Sequence, residues 1–443
     1  MKTTFRSRAW IIVLAALVAS LASAEAARAQ QTRADTLQAR VERLEALVDS
    51  LLTVLSARAE AAEPADELAA LREAARAAAE EAEPVPPDTA GAARSRTGNL
   101  NILNPEISIS GDIVAGFLSP GEGESDAQAL PREFELSFQS ALDPYTRTKI
   151  FFSKEEELPV AGLEEVLEGG EEEEEGEGEE GHGGAIELEE GFLYWVGLPG
   201  SIGLKAGKFR QELGLYNRWH THALLEIERP LVTSAFLGDD GLIQTGVSLT
   251  LPSFQTGAGT QTITFEATKP DNKLFEGGTD LSYLGRLQSF WDLSPSTYLQ
   301  VGVNGVSGQN DDLALDSRLL GVDVAFRWAP PSRARYQELT LKGEWYWADR
   351  DVGAESFSGS GGYAQASYRW NQRWITGLRA DWLDPFADRE DVFQLVPSIT
   401  WWQSEWVRLR LQYNFLKRSG FDADHTFLLQ TVWAVGPHKH ETY

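Results

Sequence analysis

The sequence predicts an all-β chain: a transmembrane antiparallel β-barrel of about 16 strands, preceded by a short periplasmic α-helical coiled coil. Three observations predict it. An N-terminal export signal is followed by no apolar run of 18 residues or more, so no helix of the mature chain is expected to cross a membrane. From Pro105 onward apolar residues recur with a period of two. The segments between those runs alternate between short turns and longer loops, which is the polarity of barrels with periplasmic turns and extracellular loops.

The elements follow in order. Lys2, Arg6 and Arg8 form a basic start, and the apolar run from Ala9 to Ala22 is too short to span a hydrocarbon layer of ~30 Å. Ala27-Arg28-Ala29 fits cleavage before Gln30, with Ala22-Ser23-Ala24 as a second candidate, so residues 1–29 read as a signal peptide. Residues 30–83 are helical. Leu37, Val41, Leu44, Val48, Leu51 and Leu55 alternate spacings of four and three, and Leu68, Leu71, Ala75, Ala78 and Ala82 continue them after Pro64. That narrow seam suits an oligomerisation stalk; a lone amphipathic helix packed on its own barrel is the alternative. Pro84, Pro86 and Pro87 end it, and the small polar residues of 84–104 read as a linker.

The barrel is expected over 105–443. Its strand candidates are 107–118, 131–142, 145–154, 185–198, 201–210, 241–251, 260–268 and 281–292, then 295–306, 316–328, 335–348, 359–370, 373–383, 391–402, 404–416 and 424–435. In 404–416, Val407, Leu409, Leu411, Tyr413 and Phe415 face one way while Arg408, Arg410, Gln412 and Asn414 face the other. Such an opposite face calls for a wet lumen. Asp143-Pro144, Pro199-Gly200, Asn371-Gln372 and Gln403-Ser404 are among the short turns; 119–130, 155–184, 211–240 and 349–358 are among the long loops. An even strand count returns both barrel ends to the periplasm. Trp328, Trp370, Trp374, Trp401, Trp402 and Trp406 beside the short turns, and Trp345, Tyr346, Trp347 and Trp382 at the other end, suggest two interfacial girdles.

Composition excludes several functions. There is no cysteine, hence no disulfide, thiolate metal site or thiol catalysis. The net charge of −28 disfavours nucleic acid as a partner. Seventeen acidic residues, more than half of that excess, lie between Glu155 and Glu190. The Glu/Gly tract 155–184 is expected to be a disordered extracellular loop, either a cation collector near the mouth or a solvated spacer.

Parity turns Arg147, Lys149, Arg286, Arg318, Lys342, Arg379, Arg408 and Arg410 toward the lumen, together with Asp112, Glu133, Glu135, Glu344 and Asp381. These charges set an ion preference, leaning to anions, or pair with one another and keep the wall wet. The loop 211–240 mixes charge with Leu224, Leu225, Ile227, Leu231 and Phe236, more apolar residues than an exposed loop carries. It is expected to fold inward as a constriction with Arg218, Glu226, Glu228 and Arg229 facing the pore, or to cap the mouth. His220 and His222, with Glu226 and Glu228, have the donor types for Zn²⁺. His182 in the acidic tract is a further candidate for Zn or Ca held at the loops, and His438 and His440 follow the last strand. No nucleophile motif frames any histidine, so no enzyme is expected.

The stalk at 33–60, the barrel from 105, and the run Gly207-Lys208-Phe209-Arg210-Gln211-Glu212-Leu213-Gly214-Leu215-Tyr216 entering the third long loop resemble Gram-negative outer-membrane porins of the phosphate-selective type. The resemblance implies a homotrimer of sixteen-stranded barrels in outer-membrane lipid, passing small hydrophilic or ionic solutes by diffusion. Two features depart from it: no arginine ladder marks a phosphate path, and Pro437 and His440 interrupt the final strand before Tyr443. A metal-binding surface receptor and a structural envelope tether are the other readings.

Overall fold

Antiparallel strands joined by tight turns pair with their neighbours in sequence, and in hydrocarbon every backbone group must find such a partner. A computed structural model describes residues 105–156, 160–167, 186–270, 272–275, 280–310, 315–352, 355–385 and 390–436. The signal, stalk and linker expected over 1–104 lie outside the described residues, as do His182, His438 and His440.

Sixteen strands close into an antiparallel barrel. They are β1 (Glu106–Ser119), β2 (Asp126–Ala141), β3 (Thr146–Glu155), β4 (Glu187–Leu198), β5 (Ile202–Arg210), β6 (Ile243–Thr250), β7 (Gly259–Lys269) and β8 (Ser282–Ser294). Then come β9 (Thr297–Asn310), β10 (Leu315–Trp328), β11 (Glu338–Val352), β12 (Glu355–Arg369), β13 (Trp374–Asp384), β14 (Val392–Trp402), β15 (Val407–Arg418) and β16 (Asp424–Val435). A short segment, Phe254–Thr256, pairs with the same strand as β6 and continues it. Each strand pairs with the next, and β1 pairs with β16 from Ile109↔Val435 to Ser119↔His425, which closes the wall without an edge.

Alternation sorts the two faces. On β1, Ile107, Ile109, Ile113 and Phe117 are exposed outward while Ser108, Ser110 and Asp112 are buried inward. On β15, Leu411 is outward and Arg410, Gln412 and Asn414 are inward. Trp345, Trp347, Trp370, Trp374, Trp382 and Trp406 lie on the exposed outer face. Three expectations fail on parity. Tyr346 is buried and its hydroxyl donates to the inward Glu344. Trp402 lines an interior cavity. Arg318, one residue out of step with the inward Asp323, is 64% exposed and pairs with Asp316 at 2.7 Å.

Several strands run past the apolar alternation. β11 and β12 stay paired as far as Val352↔Glu355, and β1 pairs with β2 as far as Leu118↔Asp126. The connections expected at 349–358 and 119–130 are therefore largely ladder. Water tolerates a ladder with polar side chains on both faces, so these extensions leave no period-two signal. Part of the acidic tract is also ordered: α1 (Leu163–Leu167) brings Val166 and Leu167 into a core, and the Ala161 amide donates to Thr426 at 3.0 Å.

That core lies inside the barrel. Leu213, α2 (Leu231–Leu237) and Leu242 pack with Leu284, Val306, Leu319, Leu383, Val392 and Leu416 of the wall. Every residue of α2 is buried. Gly359 and Gly361 of β12 make room for it: a Cβ there would stand 3.1 Å from the Phe236 ring and 3.0 Å from Val232. The lumen is thus apolar at the level of α2, where Leu231 and Phe236, two of the loop's apolar anchors, pack against the wall.

Candidate constriction site

The loop between β5 and β6, residues 211–242, enters the barrel and is tied to its wall at many points. Entry requires a sharp turn at Gly214, whose φ of +58° suits glycine, and whose Cβ would collide with Glu344 and Tyr346. Glu344 holds this corner. Its carboxylate accepts the amides of Leu215 and Tyr216, each at 2.8 Å, and the Tyr363 hydroxyl at 2.7 Å. The ring of Tyr216 then meets Tyr363 edge-on at 5.1 Å.

Arginines of β13 and β15, joined by Arg132 of β2, meet the loop. Arg379 (β13) is 0% exposed and donates to the Glu228 carbonyl at 2.8 Å, to the Glu228 carboxylate at 3.2 Å and to Asp381 at 2.9 Å. Arg410 (β15) is 2% exposed and donates to the Leu224 carbonyl at 3.1 Å, with Thr400 and Gln430 completing its set. Arg408 donates to the His222 carbonyl, and Arg132 (β2) donates to the Ile227 carbonyl and to Asp112. The fork of guanidinium donors suits such carbonyl-rich backbone. Glu226 accepts from Tyr216 and Gln365, and Asn414 donates to Glu228 at 3.0 Å.

A neighbouring stretch of wall, β2 and β4, meets the loop with carboxylate. His222 Nδ1 lies 2.7 Å from Glu133, whose second oxygen accepts the His222 amide at 2.8 Å. His220 Nδ1 lies 2.8 Å from Glu135 and 3.0 Å from Glu189, and its Nε2 lies 3.2 Å from Glu190. Burial alone lowers both imidazoles. At His220 the Glu189 and Glu135 charges overcome it and hold the ring well above its ordinary value; at His222 burial prevails and the ring falls to about 4. Arg210 donates to Glu189.

The sequence-predicted residues therefore divide. Glu226, Glu228, Arg379, Arg408 and Arg410 are brought together on the loop and the arginine wall. Arg229 is buried and donates to the loop's own Trp219 carbonyl at 2.9 Å, and Arg218 pairs with Glu212 at 3.1 Å. Arg147, exposed, and Lys149, half-buried, sit on β3 toward its short turn, away from these contacts. The histidines lie with Glu133, Glu135 and Glu189, not with the Glu226 and Glu228 expected as their co-ligands, because the latter two turn to Arg379. Arg132, Glu189 and Glu190 escaped parity. Irregularities in the β1–β2 register near Asp112 and the β3–β4 register near Phe151 add one residue to β2 and one to β4, so adjacent residues Arg132-Glu133 and Glu189-Glu190 all turn inward. No sequence period announces a bulge.

A cavity of about 180 Å³ remains beside the loop. Lys342, Arg369, Arg408 and Arg410 line it, with Tyr216, Trp219 and Trp402 as aromatic walls and Glu338 as its one carboxylate. Lys342 Nζ stands 5.5 Å from the Trp219 ring centre.

A closed barrel with an apolar outer face crosses a membrane by its strands, and such barrels reside in the bacterial outer membrane. That architecture places this chain there. No family model matches the sequence. An uncharacterized protein of Aquifex aeolicus (strain VF5) is 23% identical over 295 residues, 57% of this chain, and the chain spans 62% of that protein's length. Among solved structures, the outer membrane channel DcaP of Acinetobacter baumannii has a TM-score of 0.49 at 10% identity, covering 75% of this chain and 98% of that one. OprB of Pseudomonas putida gives 0.49 at 10% identity over 77% and 96%. OmpT of Vibrio cholerae, in a trimer form, gives 0.47 at 8% over 75% and 100%. These scores lie below 0.5, so the membrane placement rests on the strands and their outer face.

Proposed function

We propose that the protein is a porin-like outer-membrane channel of low conductance, passing small hydrophilic or ionic solutes, with the 211–240 loop as its constriction. It performs no reaction. The observation that carries this reading is the loop itself: it enters a closed barrel and is held inside by Arg132, Glu344, Arg379, Arg408 and Arg410. Fixed charge at a narrowing sets which ions dwell there. The cavity with four cations and one carboxylate favours anions. The 30–83 stalk and a homotrimer complete the proposal, supported by the heptad seam. The test is planar-bilayer recording on the purified full-length protein. Small discrete conductance steps with a reversal potential on the chloride side are expected; a silent barrel under all voltages overturns the channel, and cation selectivity overturns the anion preference.

A further inference from the structure

The carboxylate wall holds more than an acidic patch. Three sets of side chains each bring ligand atoms within 4.8 Å of one another: Glu133, Glu135 and His222; Glu135, Glu189 and His220; and Glu133, Glu155 and Glu189. All but Glu155 are buried. The first two sets each combine one imidazole with two carboxylates and share Glu135. Their rings stand 6.1 Å apart, with Glu135 between the two half-sites. With Glu190, five carboxylates gather around two imidazoles and Arg210, while Arg132 nearby is engaged by Asp112. Burial of so many carboxylates is unfavourable unless they take up protons or meet a cation.

From this geometry we infer a divalent transition-metal site built as two half-sites that share Glu135: Glu133 and Glu135 of the wall with His222 of the loop, and Glu135 and Glu189 of the wall with His220. The donor set decides the class. Imidazole nitrogen with carboxylate oxygen and no thiolate suits Zn²⁺, Co²⁺ or Ni²⁺, whereas Ca²⁺ and Mg²⁺ take oxygen alone. Carboxylates of one half-site lie where they support the ligands of the other, and such neighbours raise metal affinity. The ion joins loop to wall: the histidines belong to the chain that enters the lumen, the glutamates to β2 and β4. It is thus a second tie on a segment that Arg408 already holds through the His222 carbonyl.

The site is tested by titrating Zn²⁺ into the folded full-length protein by calorimetry. Uptake of at least one Zn²⁺ per chain is expected, weakened about 100-fold or more in the His220→Gln/His222→Gln variant. The acidic tract 155–184 is intact in that variant, so equal titrations in the two proteins would assign the binding elsewhere and overturn the site. Heat-modifiable gel migration verifies that the variant is folded. Co²⁺ added to the wild type supplies a second readout: d–d absorption of a nitrogen–oxygen site supports the inference, and the spectrum of the aqua ion alone overturns it. An imidazolium held by carboxylates, with no affinity for either metal, is the structural alternative, and it too overturns the site. Binding is read without conductance, so a silent barrel that takes up Zn²⁺ defeats the channel and leaves the metal site standing.

Discussion

The two walls that grip the constriction loop hold it by opposite chemistry. The β13 and β15 wall offers guanidinium groups, and the loop answers mainly with backbone carbonyls at His222, Leu224, Glu228 and Arg229. The β2 and β4 wall offers carboxylates, and the loop answers with two imidazoles and one amide. A carbonyl neither titrates nor leaves, so the first grip needs no ion and depends little on solution conditions. An imidazole is a metal ligand and a titrating group, so the second grip depends on what else is bound. One loop therefore carries permanent ties and conditional ties, and the two meet at His222, whose carbonyl is held by Arg408 and whose ring is held by Glu133.

The largest expected effect comes from breaking the permanent ties. Arg379→Ala leaves Asp381 and Glu228 buried without their cation, a change of the kind that costs about 3–5 kcal/mol. Release of the loop from β13 should raise single-channel conductance severalfold and expose 218–240 to protease; unchanged conductance would show that Arg379 does not hold the constriction. A smaller gain is expected from the conditional ties. Chelation of Zn²⁺ should raise the conductance of the wild type and leave the His220→Gln/His222→Gln variant unmoved; a response in both would separate the metal tie from these histidines. Gly361→Val puts a Cβ 2.7 Å from the Trp382 carbonyl of β13 and 3.0 Å from Val232 of α2, an overpacking of about 1–3 kcal/mol. It should loosen α2 and lower the thermal transition of the lumen while the barrel keeps its gel migration. Lys342→Glu should shift the reversal potential toward cations, since Lys342 lines the cavity and meets the loop through the Tyr216 and Trp219 rings. The smallest effect belongs to Arg318→Ala. Its pair with Asp316 is on the outside and exposed, in the class worth about 0–1 kcal/mol, and neither stability nor selectivity should move measurably.

How much of this was legible depends on whether the signal is periodic. Strand positions from β1 to β16 follow the period-two alternation to within a few residues wherever one face meets lipid. They deviate at β2, β9, β11 and β12, where the ladder continues into water. The inward Arg408, Arg410, Gln412 and Asn414 are visible in parity because β15 is regular over their span. Arg132 and Glu189 are not, because a bulge shifts them by one residue and any one-residue slip exchanges the two faces. The apolar content of 211–240 announces a loop that leaves water. It does not announce its partners, and the expected Glu226 and Glu228 neighbours of the histidines turned out to serve Arg379 instead.

The all-β class, the order of the strands, the faces of strands such as β1 and β15, and the apolar character of 211–240 can be read from the chain alone. These follow from local rules: a strand has a period of two, and a lipid face must be apolar. Which wall each loop residue meets, and the packing of α2 into an apolar core inside the lumen, come from the folded barrel. It also decided that His220 and His222 sit among Glu133, Glu135 and Glu189. Those contacts join residues far apart in the chain across a closed barrel, and their geometry is set by closure, register and two bulges, none of which leaves a mark on local composition.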